Sequence, residues 1–304
     1  MLSPIAEDDT IDGMTTHNII IQPAASVPRQ AYVAALNESF KNYFVPLHFS
    51  EDAFLMLIEQ ETIWMESSAA AVDAGRVVGV GMLAVRGKSG WIGGMGVIPE
   101  YRRQGLARRM MQFLLEQSKS LDLERVRLEV ITQNTGAYTL YQSLGFETAR
   151  ELHILSREVA KLPEAYTTPP TGVSISEENP ANLLNIISVL PSAPHPWQRS
   201  MVKLKEIALN LKGIAAVGEK GETLGLCLYG GQYSQIGIVD LLAVSPQIGG
   251  ALLSHLQKTQ PEARMSYVNV GEDDPLLSLF KEVGFKTNLS QYEMFYTIGA
   301  GTDA

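Results

Sequence analysis

The chain has 304 residues, 45% hydrophobic and 19% charged, with a formal net charge of −9, which suits a soluble globular protein long enough for two cores. The acidic balance is the wrong sign for gripping nucleic acid through its phosphates, and no apolar run is long enough to span a bilayer, so neither nucleic acid nor membrane is an expected partner. Cys227 stands alone and no Cys/His spacing points to a metal, so neither a disulfide nor a metal is expected and a reducing cytoplasm is the expected compartment.

Residues 1–16 place acids where a secretory leader would place bases, and read as a disordered tail. Residues 18–22 alternate as a short strand, 24–41 predict a helix starting near Ser26 or Pro28, and NYFVPLHFS at 42–50 is an aromatic loop. Ser50 is placed to cap a helix through Gln60, with Glu51 and Asp52 in the turn where the dipole favours acids. Two β-rich runs, 68–72 and 76–85, flank Asp73-Ala74-Gly75 and predict a hairpin. Trp91 to Val97 predicts a strand, Pro99 breaks it, and Gln104 to Leu121 predicts an amphipathic helix. In the strand 125–130, Val126, Leu128 and Val130 share one face and Glu129 lies on the other. A helix from Asn134 closes at Gly145, a natural left-handed cap, and 146–157 supplies the last strand or two.

The basic run Arg102-Arg103-Gln104-Gly105-Leu106-Ala107 thus stands between a strand and a helix. The first N–H groups of a helix lack internal partners and the dipole leaves partial positive charge there, so the unit is suited to an anion. Gly105 and Ala107 let a phosphate approach the backbone, and Arg102 and Arg103 would neutralise it. The bland alternative is a charged surface turn before an ordinary helix.

One strand later, Asn134, Ala137, Leu140, Tyr141, Leu144, Gly145 and Phe146 spell N-x-x-A-x-x-L-Y-x-x-L-G-F. Paired with R-x-x-G-x-A at 102–107 and V-x-P-x-x-R at Val97, Pro99 and Arg102, this resembles the GNAT N-acetyltransferase superfamily over residues 67–157. The resemblance implies an α/β (α+β) fold with a mixed, mostly antiparallel twisted sheet flanked by helices. It implies acetyl-CoA as acyl donor and, as acceptor, a primary amine of a small molecule, a peptide N-terminus or a lysine. Backbone groups of Met95, Gly96 and Val97 would hold the acetyl and pantetheine parts, and Arg102, Arg103, Gln104, Gly105, Leu106 and Ala107 the pyrophosphate. The helices at 24–41 and 50–60 would wall the substrate side. Tyr141 would protonate the departing thiolate and Asn134 would bind the pantetheine arm. Tyr141 also fits as a packing aromatic, and Asn134 as a helix cap. For the general base three options stand open: Glu129, His48 in the aromatic loop, or water relayed to solvent.

AKLPEAYTTPPTG at 160–172 has a linker's composition. Beyond it the pattern of the first half recurs: strands at 214–217, 223–229 and 236–244, a helix at 248–260, a strand at 265–270, and a helix ending in Gly284-Phe285. The loop after Val244, Ser245-Pro-Gln-Ile-Gly-Gly250, is shorter than 98–107 and has no arginine, and Phe280 stands where the first half has Tyr141. These features predict a catalytic GNAT-like domain at 17–159, a linker at 160–172, and at 173–304 a degenerate copy that builds part of the substrate cleft or a homodimer contact, with Trp197 as an apolar anchor. Two other function classes fit: a non-catalytic acyl-CoA-binding or regulatory protein, and a tandem transferase using aminoacyl-tRNA. The intact arginine loop and the acidic charge count against the second.

Overall fold

The computed structural model describes residues 18–45, 47–232 and 234–299; the tail expected at 1–16 lies outside them. The first half runs β1 (Ile20–Pro23), α1 (Arg29–Phe40), α2 (Glu51–Glu61), β2 (Ala69–Asp73), β3 (Arg76–Arg86), β4 (Ser89–Val97), α3 (Leu106–Ser120), β5 (Arg125–Ile131), α4 (Thr135–Ser143) and β6 (Glu147–Arg157). The second runs β7 (Ser174–Glu178), α5 (Pro180–Ile186), α6 (Met201–Ile207), β8 (Lys212–Val217), β9 (Thr223–Gln232), β10 (Gln235–Ala243), α7 (Pro246–Thr259), β11 (Arg264–Gly271), α8 (Leu277–Glu282) and β12 (Lys286–Thr297). The order β-β-α-β-α-β occurs twice, at β3 to β6 and at β9 to β12.

Local chemistry sets the helix ends. Ser50 Oγ accepts from Ala53 N–H at the start of α2, and Asn134 Oδ1 accepts from Ala137 N–H at the start of α4. Past α4, Gly145 takes φ +92°, a left-handed conformation that glycine adopts without strain. Along α3, Leu106, Met110, Met111, Leu114 and Leu115 are buried at helical spacing, and the helix packs on β2, β3 and β4.

The expected mixed, mostly antiparallel twisted sheet with flanking helices is present. Its twelve strands form one continuous sheet in the order β1-β2-β3-β4-β5-β12-β6-β11-β10-β9-β8-β7. Among the described strands only β4/β5 and β10/β11 pair in parallel. The two halves exchange their last strands: β12 lies against β5, while β6 lies against β11, and β12 and β6 pair with each other at the seam. Burial follows the exchange. Met294 of β12 and Trp197 belong to the core of the first half, and Leu155 of β6 to a core of the second.

A buried ion network closes the seam. Arg127 Nη1 on β5 donates to Glu293 Oε1 on β12 at 3.1 Å, and Arg150 Nε on β6 donates to Glu293 Oε2 at 2.8 Å. Arg150 Nη1 also donates to Asp273 Oδ1 at 3.0 Å. Glu293 is 2% exposed and takes one charge-assisted bond on each carboxylate oxygen.

Candidate active site

Strands β4 and β5 pair only from Ser89 to Trp91 against Arg125 to Arg127. Beyond Trp91 they part, and a cavity of about 690 Å³ opens between them, running from the start of α3 to the β5/β12 side of the fork. Two features of WIGGMGV produce the fork. The register of β4 on β3 slips between Val80 and Met82, and Gly94 sits there at φ +58°, a bulge that turns the strand. Trp91 and Gly93 share a strand face, and a Cβ on Gly93 would lie 2.2 Å from the Trp91 ring, so only glycine lets the indole fold along the strand.

At the α3 end, Gly105 is the N-cap residue with φ +74° and open space where a side chain would start. Within the described chain, none of the backbone N–H groups from Gly105 to Arg108 has an acceptor. Met95, Gly96, Val97, Arg102, Arg103, Gly105, Leu106 and Ala107 all line the cavity. The arginines divide the work. Arg102 Nε donates to Val97 O at 3.0 Å and its Nη2 to Ser39 O at 2.9 Å, which braces the loop between β4 and α1. Arg103 is exposed and has no partner among the described residues. Arg108, in the first turn of α3, also lines the cavity and donates to Ser143 Oγ. Gln104 is absent from the lining, and its Nε2 donates back to Glu100 O. An N-terminus of this kind, with free N–H groups, an open glycine and an unpaired arginine, fits a pyrophosphate. Arg103→Ala is expected to weaken acetyl-CoA binding about ten- to a hundredfold, the loss of one charge-assisted bond, and Gly105→Val to abolish it by filling the approach. Calorimetry on the folded variants checks both, and the wild type should show one site per chain.

Further in, Tyr141 is 7% exposed, and its hydroxyl makes no hydrogen bond among the described residues. Burial pushes its phenol up, with the nearby Tyr43 phenol adding to the rise, so the group stays protonated and able to donate at neutral pH. Asn134 caps α4 and its Nδ2 donates to Tyr43 Oη at 3.2 Å, so capping and cavity lining coexist in one residue. Glu129 also lines the cavity. Trp91 Nε1–H donates to its Oε2 at 2.6 Å, while Oε1 is out of contact with solvent and lacks a partner meeting hydrogen-bond geometry. Burial pushes the Glu129 carboxyl up to about 7; Glu293, opposite it in the ladder, adds to the rise, and the Trp91 bond opposes it. His48 is exposed and does not line the cavity.

The sequence led to the expectation that the second half builds part of the cleft, but not to the residues that do so. Gln198, Leu289 and Gln291 line the same cavity, and Trp197 stacks on Trp91 with centroids 6.2 Å apart and planes 12° from parallel. Arg86 anchors the segment, donating to Trp197 O at 2.7 Å with its guanidinium 4.3 Å from the Trp197 ring. The anchor role of Trp197 was legible in PSAPHPW; its target was not.

The equivalent places in the second half are filled. Ser245 Oγ caps α7 by accepting from Ile248 N–H, and a Cβ on Gly250 would lie 2.2 Å from Tyr166, whose ring packs on the first turns of that helix. Where β10 and β11 part, Asp240 is buried with Arg199 Nη1 at 3.3 Å from its Oδ1, Tyr267 Oη at 3.0 Å from the same oxygen, and His195 Nε2 at 3.0 Å from Oδ2. Phe280 is buried in the core without a hydroxyl.

Residues 30–146 match the profile of the acetyltransferase (GNAT) family. A ribosomal protein bS18 alanine N-acetyltransferase of Escherichia coli K12 is 40% identical over 53 residues, 17% of this chain and 36% of that protein. An N-alpha-acetyltransferase 30 of Schizosaccharomyces pombe is 30% identical over 95 residues, 30% of this chain and 63% of that one. The chain therefore spans about a third of the length of the bacterial relative and under two thirds of the yeast one. A tandem GNAT protein of the clavulanic acid biosynthesis pathway superposes with a TM-score of 0.66 at 13% identity, covering 93% of this chain and 100% of the other, which is a likeness of fold.

Proposed function

We propose, for a chain that belongs through its first half to the acetyltransferase (GNAT) family, an enzyme that moves an acetyl group from acetyl-CoA to a primary amine of a small molecule, a peptide N-terminus or a lysine. The observation that carries this is a single cavity joining an unsatisfied helix N-terminus and a free arginine at one end to an unpartnered carboxylate oxygen and an unpartnered phenol further in. The relatives named for acetylating a ribosomal-protein alanine and N-alpha amines support an amine acceptor. We assign catalysis to residues 17–159 and a supporting role to 173–304, joined by 160–172. No described helix is long and apolar enough to cross a membrane, and with Cys227 buried and unpaired we place the protein in the cytoplasm.

Acetyl-CoA supplies an activated acyl carbon: the amine nitrogen bonds to it, the carbon–sulfur bond breaks, and the electron pair leaves on sulfur. In this reading the N–H groups from Gly105 to Arg108, with Arg103, hold the diphosphate, and Arg102 keeps the loop against α1. The Glu129 carboxylate takes the proton that the amine loses, and Tyr141 gives one to the sulfur.

A base whose carboxyl is raised to about 7 is active only above that pH, because the protonated form below it cannot accept. With a weakly basic amine, already neutral over the range, the rate of thiol release is expected to rise about tenfold per unit below pH 7 and to level off above it. Glu129→Gln should remove that limb and lower the rate about 10²- to 10⁴-fold. A profile unchanged by the substitution would leave the proton to water, and acetyl-CoA binding with no transfer to any amine would favour the regulatory binder.

A further inference from the structure

The segment that carries Trp197 also brings Gln198 to the wall of the cavity that Glu129 lines, where its side-chain amide favours the Glu129 carboxylate. Gln198 lies in the short turn Trp197–Arg199, which the Trp91 stack and the Arg86 bonds hold over the fork. Its Oε1 accepts from Asn269 Nδ2 at 2.8 Å, and Asn269 Oδ1 in turn accepts from Gln291 Nε2 at 2.6 Å. Asn269 is 3% exposed and sits at φ +59°, where the ladder of β11 against β6 slips between Tyr267 and Val270. Asparagine tolerates this left-handed conformation better than most residues. Its main-chain oxygen accepts from Arg199 Nη2, so the turn is tied on both sides.

The order of the three amides follows from charge. With Gln198 Oε1 occupied by Asn269, its NH₂ group is the part left to face the Glu129 carboxyl. Turning all three amides over would set a carbonyl oxygen against a carboxylate, two acceptors with no proton between them. We propose that Gln198, fixed by Asn269 and Gln291, is a positioning residue supplied by the second half: its amide N–H side, with Trp91 holding Oε2, orients the Glu129 carboxyl at the wall of the cavity. This rests on Glu129 being the base of the proposed reaction.

Other charges face Glu129. On β12 Glu293 lies opposite and disfavours ionisation, although Arg127 and Arg150 bind it; on β5 Arg127 favours ionisation. In the overlying segment the imidazole of His195 is turned to Asp240. Those partners are engaged elsewhere, so the Trp91 indole and the Gln198 amide are the donors that favour the carboxylate directly, and loss of either raises its pKa.

Carbon-13 NMR on protein labelled at glutamate carboxyl carbons reads this without any acceptor. The Glu129 resonance is identified by its loss in Glu129→Gln. In Gln198→Leu, close in shape, its titration midpoint is expected to move up by about one unit, the effect of one lost bond to a charged group. In Asn269→Gly, which keeps the left-handed backbone, it should move in the same direction by less. With glycinamide as acceptor, the pH–rate midpoint should move with the resonance while acetyl-CoA affinity stays unchanged. A Glu129 midpoint unmoved in both variants, or a rate that falls equally at every pH, would reduce Gln198 to packing and overturn the proposal. A moved midpoint in a protein that transfers acetyl to no amine would support the positioning and sink the transferase reading instead.

Discussion

Tyr141→Phe is expected to lower turnover by about 10²- to 10⁴-fold, roughly 3–5 kcal/mol in the barrier, with acetyl-CoA affinity nearly unchanged. Only one oxygen is removed, and it makes no hydrogen bond among the described residues, so no structural bond is lost. The ring remains packed against Phe146, with centroids 6.0 Å apart. Stability should therefore stay within about 0.5 kcal/mol, as for substitutions that leave packing and partners intact. The effect should fall on kcat, because the proton is needed when sulfur departs and not when acetyl-CoA docks. Single-turnover thiol release alongside calorimetry separates the two. Full turnover in the variant would make Tyr141 a packing residue.

Glu293→Ala is expected to destabilise the fold by about 3–5 kcal/mol, the cost of leaving buried cations without their counter-charge. Glu293 is 2% exposed, and Arg127 and Arg150 both donate to it from strands on either side of β12. Without it Arg150 retains Asp273, but Arg127 is left facing a cavity in the seam. Because β12 lies between β5 and β6, the damage should reach the first half, and the Glu129 strand should loosen with it. Glu293→Gln, which keeps the shape and some hydrogen bonding, should cost less. Chemical denaturation measures both, and a loss below 1 kcal/mol for the alanine variant would mean that water already shares the network.

Local order was legible because each signal is carried by neighbouring residues. The hairpin at Asp73-Ala74-Gly75, the Ser50 cap, the period of α3 and the Gly145 stop all act within a few positions, and each element formed near its expected bounds. Some boundaries moved inward. The third helix begins at Leu106 and not at Gln104, because Arg103 and Gly105 both take positive φ and hold the loop open. The first helix begins at Arg29, after a separate 3-10 turn at Ala24–Ser26.

Within the candidate site the same division holds. Arg103, Gly105, Asn134, Tyr141 and Glu129 were found by motif or strand parity, and the fold brings them to one cavity. His48 was chosen for its place in an aromatic loop, and loop composition says nothing about which way a side chain points; it faces solvent. Arg102 was read as a charge for an anion; it lines the cavity, and its Nε and Nη2 also bind two carbonyls that the sequence did not point to.

The sequence alone determined the secondary structure of the first half and of the repeat from 214 to 285, and the contrast between a basic, glycine-bearing helix start in the first half and an arginine-free one in the second, since these depend on residue type and short spacing; β7, α5, α6 and β12 were not read from it. Only the tertiary structure decided that β12 and β6 trade places, that Trp197 stacks on Trp91, and that Gln198 and Gln291 reach the cavity around Glu129. Strand partners far apart in the chain are chosen by burial on both faces of the completed sheet and by ion pairs such as Arg127–Glu293–Arg150. No local pattern in the sequence encodes that choice.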